Sequence, residues 1–176
     1  MTDHTVTTTT FCDIVGIAVP RFRSLRQRGH LPLMPAGEEE DDAAGWTRFT
    51  PTDALLMRCA FELADANGLA FADASLVVRN SEGVAAFLDD GALPTEFWLW
   101  SAEFRDTHGD GGEIWRSRGH ARGDLPELRQ WLRRNPDDQP SRIFLVNVAA
   151  AWAVLSRRAS ERGYVLTPDA FTPRSR

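Results

Sequence analysis

The sequence predicts an α+β fold with short helices in the first half and a β-hairpin plus two helices in the second. Apolar residues recur at spacings of three and four in several short segments of the first half, which is typical of amphipathic helices; they are Phe11, Ile14 and Val15, then Phe22 and Leu25, then Leu56, Cys59, Ala60 and Leu63. An aromatic run at 96–106 precedes a glycine-rich turn, which is typical of a hairpin. The residues Asp89-Asp90-Gly91 and Pro94 favour a loop, which predicts a domain boundary there. The predicted domains are 7–90 and 95–165, with tails at 1–6 and 166–176.

Two short helices are predicted at the start of the first domain. The first covers Thr7 to Val15 and is ended by Gly16, because glycine accepts the left-handed conformation of a tight turn. Pro20 suits the first turn of the second helix, and Gly29 ends it. Residues 31–33 and 45–49 are expected to pair as strands around an acidic loop.

The third helix carries the clearest signals. Thr50 is a predicted N-cap, Pro51 fits the first helical position, and Asp53 favours the positive end of the helix dipole. This helix is expected to end near Asn67-Gly68. A fourth helical stretch is predicted over 72–88, with a break near 80–81.

The second half is predicted to contain strands at 96–106 and 113–118 joined by the turn 108–112. An amphipathic helix follows at 125–134, and the longest helix is predicted at 141–162, capped by Ser141 and closed by Gly163. Residues 143–155 are apolar on nearly every side of such a helix. A helix of this kind needs two covering surfaces, which predicts a homodimer through its second face.

Three segments carry a resemblance to a known family. They are Phe11-Cys-Asp-Ile-Val-Gly16, Arg21-Phe-Arg-Ser-Leu-Arg-Gln-Arg-Gly-His-Leu-Pro32 and Arg48-Phe-Thr-Pro-Thr-Asp53. Their order and spacing resemble the MerR-type winged helix-turn-helix, a module similar to those of phage excisionases and some phage packaging subunits. The resemblance implies a DNA-binding regulator whose recognition helix spans 20–28. The chain departs from the family in lacking a capping serine or threonine at 18–20, in its acidic wing, and in lacking the long dimerising helix after the fourth helix.

The spacing of the second helix predicts which of its side chains face DNA. Phe22 and Leu25 point inward, whereas Arg23, Ser24 and Gln27 point outward. Arginine reads guanine and glutamine reads adenine through paired hydrogen bonds in the major groove, and further arginines bind phosphates. The predicted DNA-binding residues are Arg21, Arg23, Ser24, Arg26, Gln27, Arg28, His30 and Arg48. The alternative is a solvated arginine-rich helix, since all twenty basic residues are arginine.

Charge is unevenly distributed along the chain. The net charge of −5 argues against a general nucleic-acid binder, yet the segment 17–33 contains four arginines and no acid. The run Glu38-Glu39-Glu40-Asp41-Asp42 follows. It is interpreted either as a solvated loop tip, or as a site for a protein partner or a mimic of DNA that covers the basic helix.

Several other classes of protein are not supported by the sequence. The segment His108-Gly-Asp-Gly-Gly112 lacks the lysine of a phosphate-binding loop, and nothing fixes His108, Asp110 and His120 as metal ligands. Cys12 and Cys59 form neither a disulfide framework nor a zinc site. We therefore expect a non-enzymatic protein of the cytoplasm without cofactor or metal, with no run apolar enough to span a membrane.

The sequence thus favours a transcriptional regulator that binds double-stranded DNA as a dimer. Two alternatives stay open. The same module could anchor a phage-like packaging or assembly complex, or it could bind protein through the acidic loop. The operator, any small-molecule effector and the sign of regulation are not encoded in these patterns.

Overall fold

The computed structural model describes residues 5–33, 48–89, 93–107, 114–133 and 140–174. These residues form a mixed structure of short helices and small antiparallel sheets. This agrees with the predicted α+β class. Among them, no helix is long and apolar enough to cross a membrane.

The first half begins with two short helices and a small strand pair. Strand β1 (Val6–Thr7) leads into helix α1 (Thr8–Val15), and helix α2 follows (Val19–Gln27). Strand β2 (Arg48–Phe49) pairs antiparallel with β1, so that Val6 lies opposite Phe49. The predicted pairing of 31–33 with 45–49 is therefore wrong for the described residues. Leu31 and Leu33 are buried in the core instead of forming a strand, and Pro32 between them has no N–H to donate.

The remaining helices of this half match their sequence signals. Helix α3 (Pro51–Phe61) continues as a π-helical turn (Glu62–Ala66), and Gly68 follows with a φ of 73°. The Thr50 hydroxyl accepts from the Asp53 N–H, and the Asp53 carboxylate accepts from the Thr50 N–H, which confirms the predicted cap. Helices α4 (Phe71–Asn80) and α5 (Gly83–Asp89) confirm the predicted break near residues 80–81.

The second half is built on a three-stranded antiparallel sheet. Strand β3 (Trp98–Thr107) lies between β4 (Ile114–Gly123) and β5 (Pro140–Asn147). Helix α6 (Leu125–Arg133) connects the two edge strands and covers one face, where Trp131 packs on Trp100 and Phe104. Helix α7 (Val148–Glu161) and a final hairpin of β6 (Tyr164–Leu166) and β7 (Phe171–Pro173) complete the chain.

The predicted long helix 141–162 is wrong over its first seven residues, which form β5. Phe144 and Val146 are buried while Ile143 is exposed, an alternation with the period of a strand. The true N-cap of α7 is Asn147, whose side-chain oxygen accepts from the Ala150 N–H at 3.0 Å. The Ser141 hydroxyl donates instead to the Glu103 carbonyl on β3.

A dimer contact through a single helix that includes residues 143–147 is not available, because this segment belongs to β5. Val146, which a single helix over this segment would place on its second apolar face, lies in β5 and is buried inside the protein. The outer edge of β5 is also partly covered, since the Asn67 side chain bonds both the Leu145 carbonyl and the Leu145 N–H. The oligomeric state itself stays a prediction.

One hydrophobic core crosses the predicted domain boundary. It joins Phe11 and Leu55 of the first half to Phe144 and Leu155 of the second. At the boundary itself, Phe87 of α5 contacts Phe97 and Trp152, with ring centroids 5.8 and 6.3 Å apart. The predicted C-terminal tail 166–176 is wrong up to residue 173, because β7 pairs with β6 and Phe171 is only 1% exposed.

Candidate nucleic-acid interface

The turn between α1 and α2 is short and fixed by the backbone. Gly16 has a φ of 91°, and the N–H groups of Gly16 and Ile17 both donate to the Cys12 carbonyl at 2.9 Å. Ala18 then adopts an extended conformation before α2 begins at Val19, with Pro20 in the first turn. The N-cap of α2 makes no side-chain hydrogen bond, in keeping with the missing serine or threonine.

Three phenylalanines fix the inner face of the helix pair. Phe11 of α1 stacks on Phe49 of β2 with ring centroids 4.2 Å apart. Phe22 of α2 contacts both rings edge-on, each at 5.6 Å. Phe22 and Leu25 are buried, which confirms the predicted inward face of α2. The orientation of α2 about its own axis is therefore set by the core.

The outer face of α2 is basic and open to solvent. Arg23, Arg26 and Gln27 are exposed, Ser24 is half-buried, and Arg28 is exposed directly after the helix. No acidic residue occurs between Asp13 and residue 38 in the sequence. An α-helix with its side chains is about 10–12 Å across, which fits a major groove about 12 Å wide.

Arg21 of α2 forms an ion pair and contacts an aromatic ring on one flank of the helix. Its Nη2 lies 3.3 Å from Oδ1 of Asp65 on the π-helical turn, and its guanidinium lies 4.9 Å from the centre of the Phe61 ring. These contacts hold Arg21 to the flank of α2 that faces α3. Among the described residues, Arg23 and Arg28 form no ion pair.

His30 and Arg48 frame the two ends of the helix pair. His30 is half-buried after α2, and its backbone carbonyl accepts from the Ser75 hydroxyl at 2.6 Å. Arg48 is exposed on β2, opposite Thr7 at the start of α1. The predicted acidic loop 38–42 lies outside the described residues, so its position relative to α2 stays a prediction.

Sequence reasoning missed three charged residues at the end of α1. Asp13 is exposed, and its backbone carbonyl accepts from Nε and Nη2 of Arg158 at 3.2 and 2.9 Å. Its carboxylate lies 3.6 Å from Nη2 of Arg162. No local pattern predicts these contacts, because they join residues about 145 positions apart and depend on how α7 packs on α1.

The two cysteines are buried and protonated. Burial raises the pKa of Cys12 to about 11; the charge of Asp13 adds to this, and that of Arg23 opposes it. Burial also raises the pKa of Cys59, which is fully buried in α3. Among the described residues, no three histidine, cysteine or acidic side chains are grouped to hold a metal ion. His120, weighed above as a ligand, lies 3.1 Å from the Ser101 hydroxyl through Nδ1.

No protein-family model matches the chain, and no curated protein matches its sequence. The function is therefore inferred from the residues of α2 and their surroundings.

Proposed function

We propose that the protein binds double-stranded DNA in the manner of the MerR-type winged helix-turn-helix, with α2 in the major groove. The observation that carries the proposal is the two-sided character of α2. Phe22 and Leu25 pin one side in the core, while the other side presents arginines and a glutamine to solvent. A short helix held in this way after a tight turn is the arrangement that enters the major groove in helix-turn-helix proteins.

Each side chain of this face has a proposed role. Arg23 and Gln27 read base edges, since both side chains form paired hydrogen bonds to purines. Arg21, Arg26 and Arg28 bind phosphates from α2, with Ser24 between the two groups, and these contacts set the register on the duplex. His30 and Arg48 add contacts at the two ends of the helix pair.

The proposed biological role is regulation of transcription by a homodimer. One short helix contacts only a few base pairs, and two copies spaced one helical turn apart supply the missing affinity. The structure offers no dimer face in α7 of the kind expected from the sequence. Dimerisation on DNA is therefore proposed from the size of the reading helix alone.

Selection of bound sequences from random duplex DNA tests the proposal. A regulator enriches one motif, with two half-sites if it binds as a dimer, and prefers that motif by a factor of 10³ or more over random DNA. Binding without sequence preference favours the assembly alternative. The proposal is abandoned if the folded chain binds no duplex at 50 mM salt.

A further inference from the structure

The end of helix α1 is clamped by two arginines from the far end of the chain. The Arg158 guanidinium donates twice to the Asp13 carbonyl, at 3.2 and 2.9 Å. It also lies 3.0 Å from the position that a Cβ on Gly16 would take. Arg158 thus fixes the turn between α1 and α2 to helix α7.

Arg162 adds a positive charge at the same place. Its Nη2 lies 3.6 Å from Oδ2 of Asp13, and the two side chains are 54% and 47% exposed. The Arg162 N–H donates to the carbonyls of Arg158 and Ala159, which holds the residue at the end of α7. A guanidinium has five N–H donors, so Arg162 can bind this carboxylate and a second anion from solvent.

This pair lies beside the turn that leads into α2. Asp13 is the only charged residue of α1 and lies three positions before the turn residue Gly16. Only Ile17 and Ala18 separate Gly16 from Val19, the first residue of α2. Asp13 and Arg162 therefore lie next to the turn that leads into the N-terminal end of the proposed recognition helix.

The first helix of a helix-turn-helix crosses the phosphate backbone. A bare carboxylate there, well within a Debye length of a phosphate, would oppose binding. Arg162 neutralises Asp13 and leaves donors that face solvent. These are the properties of a phosphate contact.

We propose that Arg162 binds a DNA phosphate next to α1, so that the DNA surface extends from α2 onto the C-terminal half of the chain. Arg158 is a positioning residue, which holds the turn against α7 without contacting DNA itself. This inference rests on the proposed function and adds a contact that no part of the sequence pattern includes.

The test compares salt dependence in the full-length protein. Binding to its selected duplex, or to a random 20-base-pair duplex, is measured by fluorescence anisotropy between 50 and 200 mM salt. Loss of one phosphate contact makes the slope of log K against log salt shallower by about 0.9. We expect this change for Arg162→Ala. The ratio of wild-type affinity to variant affinity should therefore fall about 3.5-fold between 50 and 200 mM salt. Arg162→Lys keeps the charge and should keep the slope.

A second background separates a phosphate contact from simple neutralisation of Asp13. In Asp13→Asn, which removes the carboxylate charge, a further Arg162→Ala should still make the slope shallower. The inference is overturned if that double variant has the slope of Asp13→Asn alone. It is also overturned if Arg157→Ala, one position before Arg158 and paired with Glu161, changes the slope as much. Failure of the wild type to bind any duplex would instead reject the proposed function, and this contact with it.

Discussion

Gly16 determines the geometry of the turn between α1 and α2. Its φ of 91° lies in the left-handed region, and the Arg158 guanidinium occupies the space where a side chain would begin. Gly163 has a similar φ of 81° but nothing within 4 Å of a Cβ. A substitution at either glycine would therefore strain the backbone, but only a side chain at Gly16 would also meet the Arg158 guanidinium.

We expect Gly16→Ala to destabilise the protein more than Gly163→Ala. Both variants lose about 1–2 kcal/mol of unfolding free energy through the left-handed backbone. Gly16→Ala loses roughly 1 kcal/mol more, because Arg158 must move away from the Asp13 carbonyl. Urea unfolding at equilibrium measures both values. Equal losses would mean that the Arg158 contact contributes nothing to stability.

Arg23 and Arg28 are expected to differ in what they read. Arg23→Ala should cost about 1–3 kcal/mol on the preferred site and relax the preference at one base pair. Arg28→Ala, at the end of the helix, should weaken all duplexes by a similar factor. Binding to a panel of single-base variants of the selected site measures the contrast. A uniform loss for Arg23→Ala would make it a phosphate contact.

At the scale of elements, Asn147 decides where strand β5 becomes helix α7. Its side chain caps the helix, whereas Ser141, the cap expected from the sequence, bonds across to β3. We expect Asn147→Ala to lower the unfolding free energy by about 1 kcal/mol. Ser141→Ala should cost no more than a few tenths of that amount, because its hydroxyl lies on an exposed residue at the strand's start. Thermal unfolding of both variants compares them, and the reverse ranking would contradict the assignment.

The helix ends could be predicted from the local sequence, whereas the pairing of strands distant in sequence could not. Thr50, Gly16 and Gly29 mark boundaries through hydrogen bonds and backbone angles that involve neighbours in sequence. The run beginning at Ile143 is apolar enough for either a buried helix or a buried strand. It becomes a strand because β3 has a free edge that β5 fills, which no local pattern reveals.

The candidate site also has some features that local sequence predicts and others that depend on distant elements. The inward and outward faces of α2 follow from helix periodicity, and burial of Phe22 and Leu25 confirms the inward one. The partner of Arg21 and the arginines at Asp13 come from elements distant in sequence. A single sequence places charge on a helix, but the packing of other helices decides which charges are already paired.

At the scale of the whole molecule, the shared core makes the two halves depend on each other. Helix α7 covers α1 and α3 with Val148, Trp152 and Leu155, all of which are buried. A fragment of residues 1–90 would expose the surface that these side chains cover. We expect it to lack cooperative unfolding and to bind DNA weakly. Calorimetry of the fragment tests this, and a sharp transition near that of the full chain would show an independent domain.

Composition also makes the alkaline stability of this chain unusually simple to interpret. The sequence has no lysine and one tyrosine, Tyr164, so few side chains other than its two cysteines titrate between pH 8.5 and 11. Both thiols are fully buried. In an unfolded chain a cysteine thiol has a pKa of about 8.5. Burial in the folded protein raises the pKa of Cys12 to about 11 and also raises the pKa of Cys59.

We therefore expect the unfolding free energy to fall as pH rises above about 8.5. In this window the unfolded state releases thiol protons that the folded state keeps, so each thiol contributes a loss of about 1.4 kcal/mol per pH unit. Cys12 contributes until the pH passes about 11, where the folded thiol also ionises. Urea unfolding between pH 8 and 10.5 measures the slope, which should be roughly halved in Cys12→Ala and nearly flat in Cys12→Ala/Cys59→Ala. Tyr164→Phe removes the one phenol and should leave most of the slope in place. A double cysteine variant with the wild-type slope would show that buried thiols do not limit alkaline stability.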